Sequence, residues 1–121
     1  MDTIENPITG EKIRVAKSDF TFRMNWEQAN AACKSLGDGW RLPTYEELYE
    51  MWKNRDAIGG FNTVGEPGDE TSTSYWSSTL AEKDEARVIP INIESEDQFD
   101  QVILPIFYLH WTARVRAVKS L

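Results

Sequence analysis

The stretch Gly39-Trp40-Arg41-Leu42-Pro43-Thr44-Tyr45-Glu46-Glu47-Leu48-Tyr49-Glu50-Met51-Trp52 constrains the fold most. Pro43 restricts Leu42 to extended backbone. Thr44 is a good N-cap, because its hydroxyl can accept from an otherwise orphan helix amide. Glu47 stands three residues later and completes a T-x-x-E capping box. Glu46 and Glu47 also place negative charge where the helix dipole favours it. Leu48, Met51 and Trp52 recur at helical spacing, which predicts a helix from Tyr45 to about Asn54 with one apolar face. Trp40 and Leu42 are expected to be buried beside it. Arg41 reads either as an anion or glycan contact or as a structural arginine bonded to a carboxylate or loop carbonyls. The second is preferred, because a guanidinium ties irregular backbone together well.

A second capping box opens at Asn25, with Gln28 three residues on. Trp26, Ala29, Ala32, Cys33 and Leu36 follow at helical spacing and Gly37 ends the run, so residues 26–36 read as a first helix with a mostly small apolar face. Residues 1–12 read as a leading arm with a turn at Thr9–Lys12. Lys12–Ala16 alternates as a half-buried strand does, and Phe20 and Phe22 repeat that period. Residues 56–74, rich in Gly, Thr and Ser, read as a long irregular loop, a kind of segment often functional. Beyond it the pattern is strand and turn. Tyr75–Thr79 is a short strand. Arg87–Ile93 places Ile89, Ile91 and Ile93 on one face, with Pro90 arguing for an edge or a bulge. Residues 101–104 are another strand. Thr112–Lys119 is the last, with Ala113, Val115 and Ala117 on one face and Arg114 and Arg116 on the other.

The chain has 121 residues, suited to a single domain spanning 1–121, and a formal net charge of −7, which argues against general nucleic-acid binding. One cysteine excludes an internal disulfide and a cysteine-held zinc. Cys33 reads as a buried structural thiol. The first residues do not look like a signal peptide, and no apolar run approaches membrane-spanning length, so membrane insertion is not expected. The compartment is left open. Residues 66–100 hold ten acidic side chains against Lys83 and Arg87. Solvated turns are the first reading of that excess. A calcium site from Glu94, Glu96, Asp97 and Asp100, and a docking face for a basic partner, are the others. No cofactor is expected otherwise.

Four motifs taken together resemble a bacterial family of domains of unknown function. They are Asn25-Trp26-Glu27-Gln28-Ala29, Gly39–Thr44 with Glu47-Leu48, Tyr75–Thr79, and Val115-Arg116-Ala117-Val118. The family includes the C-terminal domain of the Legionella collagen-like adhesin, and the Fibrobacter succinogenes major paralogous domain is similar. The resemblance covers residues 13–119. It implies an α+β, C-type-lectin-like fold of the branch shared with formylglycine-generating enzymes and retroelement-diversified receptors. In that fold the chain ends pair in a mostly antiparallel sheet, two helices pack on it, and a second small sheet carries long loops. It also suggests a cell-surface or secreted setting. The cysteines that formylglycine-generating enzymes need in the last third are absent, so the chain is not expected to be an enzyme. Calcium-dependent lectins carry Glu-Pro-Asn and Trp-Asn-Asp type triplets; Glu66-Pro67-Gly68 and His110-Trp111-Thr112 lack those amide and carboxylate ligands, which argues against sugar binding through calcium. Residues 101–118 lack the asparagines of the diversified receptors.

The run Ile106–Trp111 is apolar and aromatic. Ile106, Phe107 and Leu109 read as core, and the preference for Trp111 leans the same way. If exposed, Tyr108, His110 and Trp111 form a platform for stacking on sugars or anchoring a protein partner. Asn92, Asp97 and Asp100 are the polar candidates beside it. His110 has no nucleophile partner identifiable from spacing, and Ser77–Thr79 are expected to satisfy local backbone. The expected function is non-catalytic recognition of a glycan or protein through loops 56–74, 80–86 and 94–111. The alternatives are an adhesion or structural part of a cell-surface or phage assembly and, last, an enzyme of the formylglycine-generating type.

Overall fold

The computed structural model describes residues 1–69, 71–96, 98 and 105–121. The acidic turn expected at 94–100 therefore falls partly, and the strand expected at 101–104 wholly, outside the described residues. The elements run β1 Thr3–Glu5, β2 Lys12–Val15, α1 Trp26–Lys34, β3 Trp40–Arg41, α2 Tyr45–Lys53, α3 Arg55–Ile58, β4 Ser74–Leu80, β5 Glu85–Pro90, β6 Ile106–Tyr108 and β7 Val118–Ser120. They form an α+β fold with a four-stranded sheet, ordered β1-β2-β7-β3, and a three-stranded sheet, ordered β4-β5-β6. All pairings within the two sheets are antiparallel. The first and last parts of the chain thus pair directly through β2 and β7. The leading arm is not a loose arm: residues 3–5 add to the sheet as its edge strand.

Helices α1 and α2 start where their capping residues dictate. Asn25 accepts from the Gln28 amide while the Gln28 side chain accepts from the Asn25 amide, and Thr44 and Glu47 repeat the arrangement at α2. Each cap contributes about 1 kcal/mol. α2 buries Leu48, Met51 and Trp52 against Ile4, Ile13, Val15, Tyr75, Ile89, Ile91, Ile93 and Val118. α1 contributes Ala29 and Cys33 to a second cluster with Leu42, Trp76, Val88, Phe107, Ala113, Val115 and Ala117. The hairpin β4-β5 separates the clusters. Tyr75 pairs with Ile89 and faces the first, whereas Trp76 pairs with Val88 and faces the second. A sheet buried on both faces needs apolar residues at successive positions, which is why this hairpin does not alternate cleanly. Pro90 does not mark an edge, since β5 is the central strand. It is the last residue of the strand. Ile91 donates to Thr73 on the β4 side and Val88 donates to Pro105 on the other, so the nitrogen of Pro90 faces away from β4 and no β4 bond is lost.

Residues 113–117 correct the expected last strand. They run extended between the two sheets, with Ala113, Val115 and Ala117 bonded to Met24, Phe20 and Ala16, and Arg114 bonded to β4 through Ser74 and Trp76. Regular pairing begins only at Val118. Arg116 does not face solvent; its side chain is fully buried. Its Nε donates to Asp19 at 2.7 Å, Nη1 to the Ala16 carbonyl at 3.0 Å and Nη2 to the Gly59 carbonyl at 3.2 Å. The Tyr75 hydroxyl donates to the other Asp19 oxygen. The guanidinium also lies 4.3 Å from the Phe61 ring centre. Gly60 closes this nest at φ +80°, where an added Cβ would stand 3.0 Å from Arg116 Nη2. Phe20 is half-buried, but Phe22 is exposed and no strand forms there, because residues 16–24 follow the 113–117 segment.

Arg41 is the structural arginine expected. It faces inward from β3 and donates twice to the buried carboxylate of Glu47, at 2.6 and 3.0 Å, with a further bond to Ser120 Oγ at 2.9 Å. Asn6 Nδ2 and the Thr44 amide complete the carboxylate's partners, each at 2.9 Å. Burial pushes the Glu47 carboxyl up, but the Arg41, Thr44 and Asn6 hydrogen bonds outweigh it and hold it below the usual range. A depressed folded-state value adds stability above the unfolded midpoint, about 4.3, and that stability is lost as pH falls through the folded value. Glu47→Ala should therefore cost about 2–4 kcal/mol at pH 7, since it orphans Asn6 and Arg41. Urea unfolding at pH 7 and pH 3 checks this: the deficit relative to the unsubstituted protein should shrink at the lower pH.

Candidate functional site

Strand β6 and the turn after it carry the aromatic run. Alternation along β6 turns Phe107 inward, where it is buried, and Tyr108 outward, where it is 47% exposed. The turn is pinned on two sides. Leu109 donates to the Asp84 carbonyl in the β4-β5 turn at 2.8 Å and accepts from the Trp26 amide at the start of α1 at 3.0 Å. Trp111 donates back to the Tyr108 carbonyl at 3.0 Å.

The rings form a ladder from core to surface. Trp76 meets Phe107 edge-on at 5.8 Å, and Phe107 meets Trp111 at 5.3 Å. Trp111 meets Tyr108 at 5.3 Å, and Tyr108 stacks on His110 at 5.8 Å with an 18° angle between planes. Offset and edge-on pairs of this kind are each worth about 0.5–1.5 kcal/mol beyond burial. The exposed rings are thus held by buried ones. Trp111 and Leu109 are half-buried against the second cluster rather than wholly core, Ile106 is half-buried, and His110 is exposed.

His110 forms a crest between two clefts. One, about 430 Å³, is lined by Asn25, Glu27, Lys83, Asp84, Tyr108, Leu109 and His110. The other, about 480 Å³, is lined by Arg23, Asp69, Thr71, Phe107, His110, Trp111 and Thr112. In the second, Arg23 donates to Asp69 at 2.9 Å and lies 3.6 Å from Glu66. The Thr71 hydroxyl and amide, then Arg23, hold the Asp69 carboxyl below its ordinary value. The clefts therefore present polar groups of both signs on either side of an aromatic crest, those of the second held by hydrogen bonds.

The sequence candidates separate accordingly. Tyr108, His110 and Trp111 come together. Asn92 lines neither cleft; it is exposed after β5, where its side-chain oxygen accepts from the Thr73 hydroxyl at 3.0 Å. Asp97 and Asp100 lie outside the described residues. Glu96 bonds the Tyr49 hydroxyl and pushes it up to about 12, and the Glu94 amide donates to Gln98. Among the described residues no group of three or more His, Cys, Asp or Glu side chains is placed to hold a metal ion. Asp69, Thr71, Lys83 and Asp84 lie in loops 56–74 and 80–86, expected to carry the site, though the sequence patterns name none of them individually; Arg23 lies outside those loops. Arg23 and Asp69 meet across 46 positions, which local spacing does not report. Asp84 has a detectable signal: it sits in the acidic turn, at φ 63°.

Ser77 and Thr79 serve the scaffold. Ser77 Oγ donates to the Arg87 carbonyl, and Thr79 Oγ1 accepts from the Tyr45 amide at the start of α2. Among the described residues no hydrogen bond joins His110 to a carboxylate, serine or cysteine. No described helix is long and apolar enough to cross a membrane. No family model matches the chain, and no curated protein matches it in sequence.

Cys33 is fully buried, and burial pushes its thiol up to about 12. The thiolate is the reactive form, so the native thiol should be inert. In an assay with an aromatic disulfide reagent at pH 8, labelling should appear only across the denaturant unfolding transition. Rapid labelling without denaturant would show that α1 opens.

Proposed function

We infer that the chain is a C-type-lectin-like recognition module and that it binds a glycan, without catalysis, at the Tyr108–His110–Trp111 crest. Paired chain ends, two capped helices and a second sheet bearing loops support the fold reading, together with the four-motif resemblance. A shared fold is a weak warrant for function. The aromatic crest carries the functional reading.

A sugar ring has an apolar C–H face and a rim of hydroxyls. Tyr108 and His110 offer exposed, pre-oriented rings for the face. Glu27, Lys83 and Asp84 on one side, and Arg23, Asp69 and Thr71 on the other, offer acceptors and donors for the rim. Because buried rings support the exposed ones, little side-chain entropy is lost on binding. The site as described recruits no metal ligand set, so binding should not depend on calcium.

A glycan array probed with and without calcium, followed by titration of the best ligand, tests this. Tyr108→Ala should weaken binding about tenfold while leaving the melting temperature within a few degrees, as Tyr108 is half-exposed. Undiminished binding by Tyr108→Ala, or no glycan bound in either condition, would overturn the assignment.

A further inference from the structure

We propose a second binding site, on the outer face of the four-stranded sheet, that takes an acidic peptide bearing one large apolar side chain. The register of that sheet sets Thr3, Arg14, Lys119 and Trp40 side by side across β1, β2, β7 and β3. Cross-strand partners share a face. The inward face carries Ile4, Ile13, Val118 and Arg41, so this row looks outward.

Two features of the row need an explanation. Arg14 and Lys119 are direct cross-strand partners of like charge, an arrangement that costs stability. Among the described residues neither makes an ion pair, and Lys17 makes none either. Three cations therefore have no ion-pair partner among the described residues, on a chain whose net charge is −7. The Lys119 ammonium lies 6.0 Å from the Trp40 ring centre, which orients it only weakly.

Beside the row is a cleft of about 600 Å³ lined by Asp2, Arg14, Val15, Ala16, Lys17, Leu36 and Trp40. It shares no residue with the clefts flanking His110. Leu36 is 48% exposed at the end of α1, and Trp40 is half-buried. Leu36, Ala16 and Trp40 supply its apolar wall and Arg14 and Lys17 its cationic rim, with Asp2 the one carboxylate in the lining. A sugar would leave hydroxyls unpaired against Leu36 and Ala16, which is unfavourable. An aliphatic or aromatic side chain packs on such a wall, and flanking carboxylates meet Arg14 and Lys17. That complementarity selects an acidic peptide over a glycan.

The test is fluorescence anisotropy of a dye-labelled Glu-Glu-Leu-Asp-Glu peptide with the whole chain. A Lys-for-acid version of the peptide and oligogalacturonate serve as comparison ligands. The acidic peptide should bind, more weakly as salt rises, and the basic peptide should not. The double variant Arg14→Ser/Lys17→Ser should bind the acidic peptide about tenfold more weakly. Leu36→Ser should weaken it independently, which keeps the test decisive if the double variant folds poorly. Tyr108→Ala should bind the peptide normally, separating this site from the crest. Absence of peptide binding, unchanged affinity in these variants, or equal affinity for oligogalacturonate would overturn the proposal.

Discussion

One buried carboxylate connects most of the scaffold. Glu47 lies on the first turn of α2, fully inside the protein, yet it stays ionised because every direction it faces offers a donor. Asn6 comes from the turn after β1, Arg41 from β3, and Thr44 from the helix cap, while Arg41 itself reaches Ser120 in β7. Residues from the start, the middle and the end of the sequence are thereby fixed to one helix terminus. A charge taken out of water is costly unless it is paired and hydrogen-bonded. Loss of any of these elements would leave that cost unmet, so the network favours this arrangement of sheet and helix over near alternatives.

A second polar nest does the same between the sheets. Arg116 and Asp19 hold the extended 113–117 segment against residues 16–19, and Tyr75 joins β4 to them. Burial, then the Asp19 carboxylate, raises the Tyr75 hydroxyl and keeps it a donor. The three-stranded sheet is thus locked to the rest of the molecule at β4. Strand β6 and its aromatic turn sit on the far side of the same sheet, steadied by Phe107 and Trp76. The exposed rings inherit their order from buried partners, and a binding surface of that kind loses little freedom when it is occupied.

How much of this is legible in the sequence depends on range. Capping boxes are local, their partners three residues apart, and the starts of α1 and α2 follow from them. Arg41 and Glu47 are six apart, and a structural role for Arg41 is readable from its place beside a capped helix. Alternation sets Arg116 opposite Ala113, Val115 and Ala117 but does not reveal its burial, because residues 113–117 have protein on both faces. Pro90 is misread for a related reason: a proline is admissible in a central strand when it falls last. The aromatic crest is legible as composition, but the exposure of Tyr108 and His110 depends on how β6 is turned, and the charged walls around them come from segments far apart in the chain. The cationic row on the outer sheet depends on strand register, which joins Arg14 to Lys119 across more than a hundred positions.

The state of Glu47 can be read directly. With the glutamate side chains labelled at the carboxyl carbon, NMR chemical shifts followed from pH 7 downward report each titration in the folded protein. The Glu47 signal should titrate below the ordinary glutamate midpoint of about 4.3. A Glu47 signal titrating at or above that midpoint while the protein remains folded would contradict it, and with it the view that this buried ion holds the sheet and helix together.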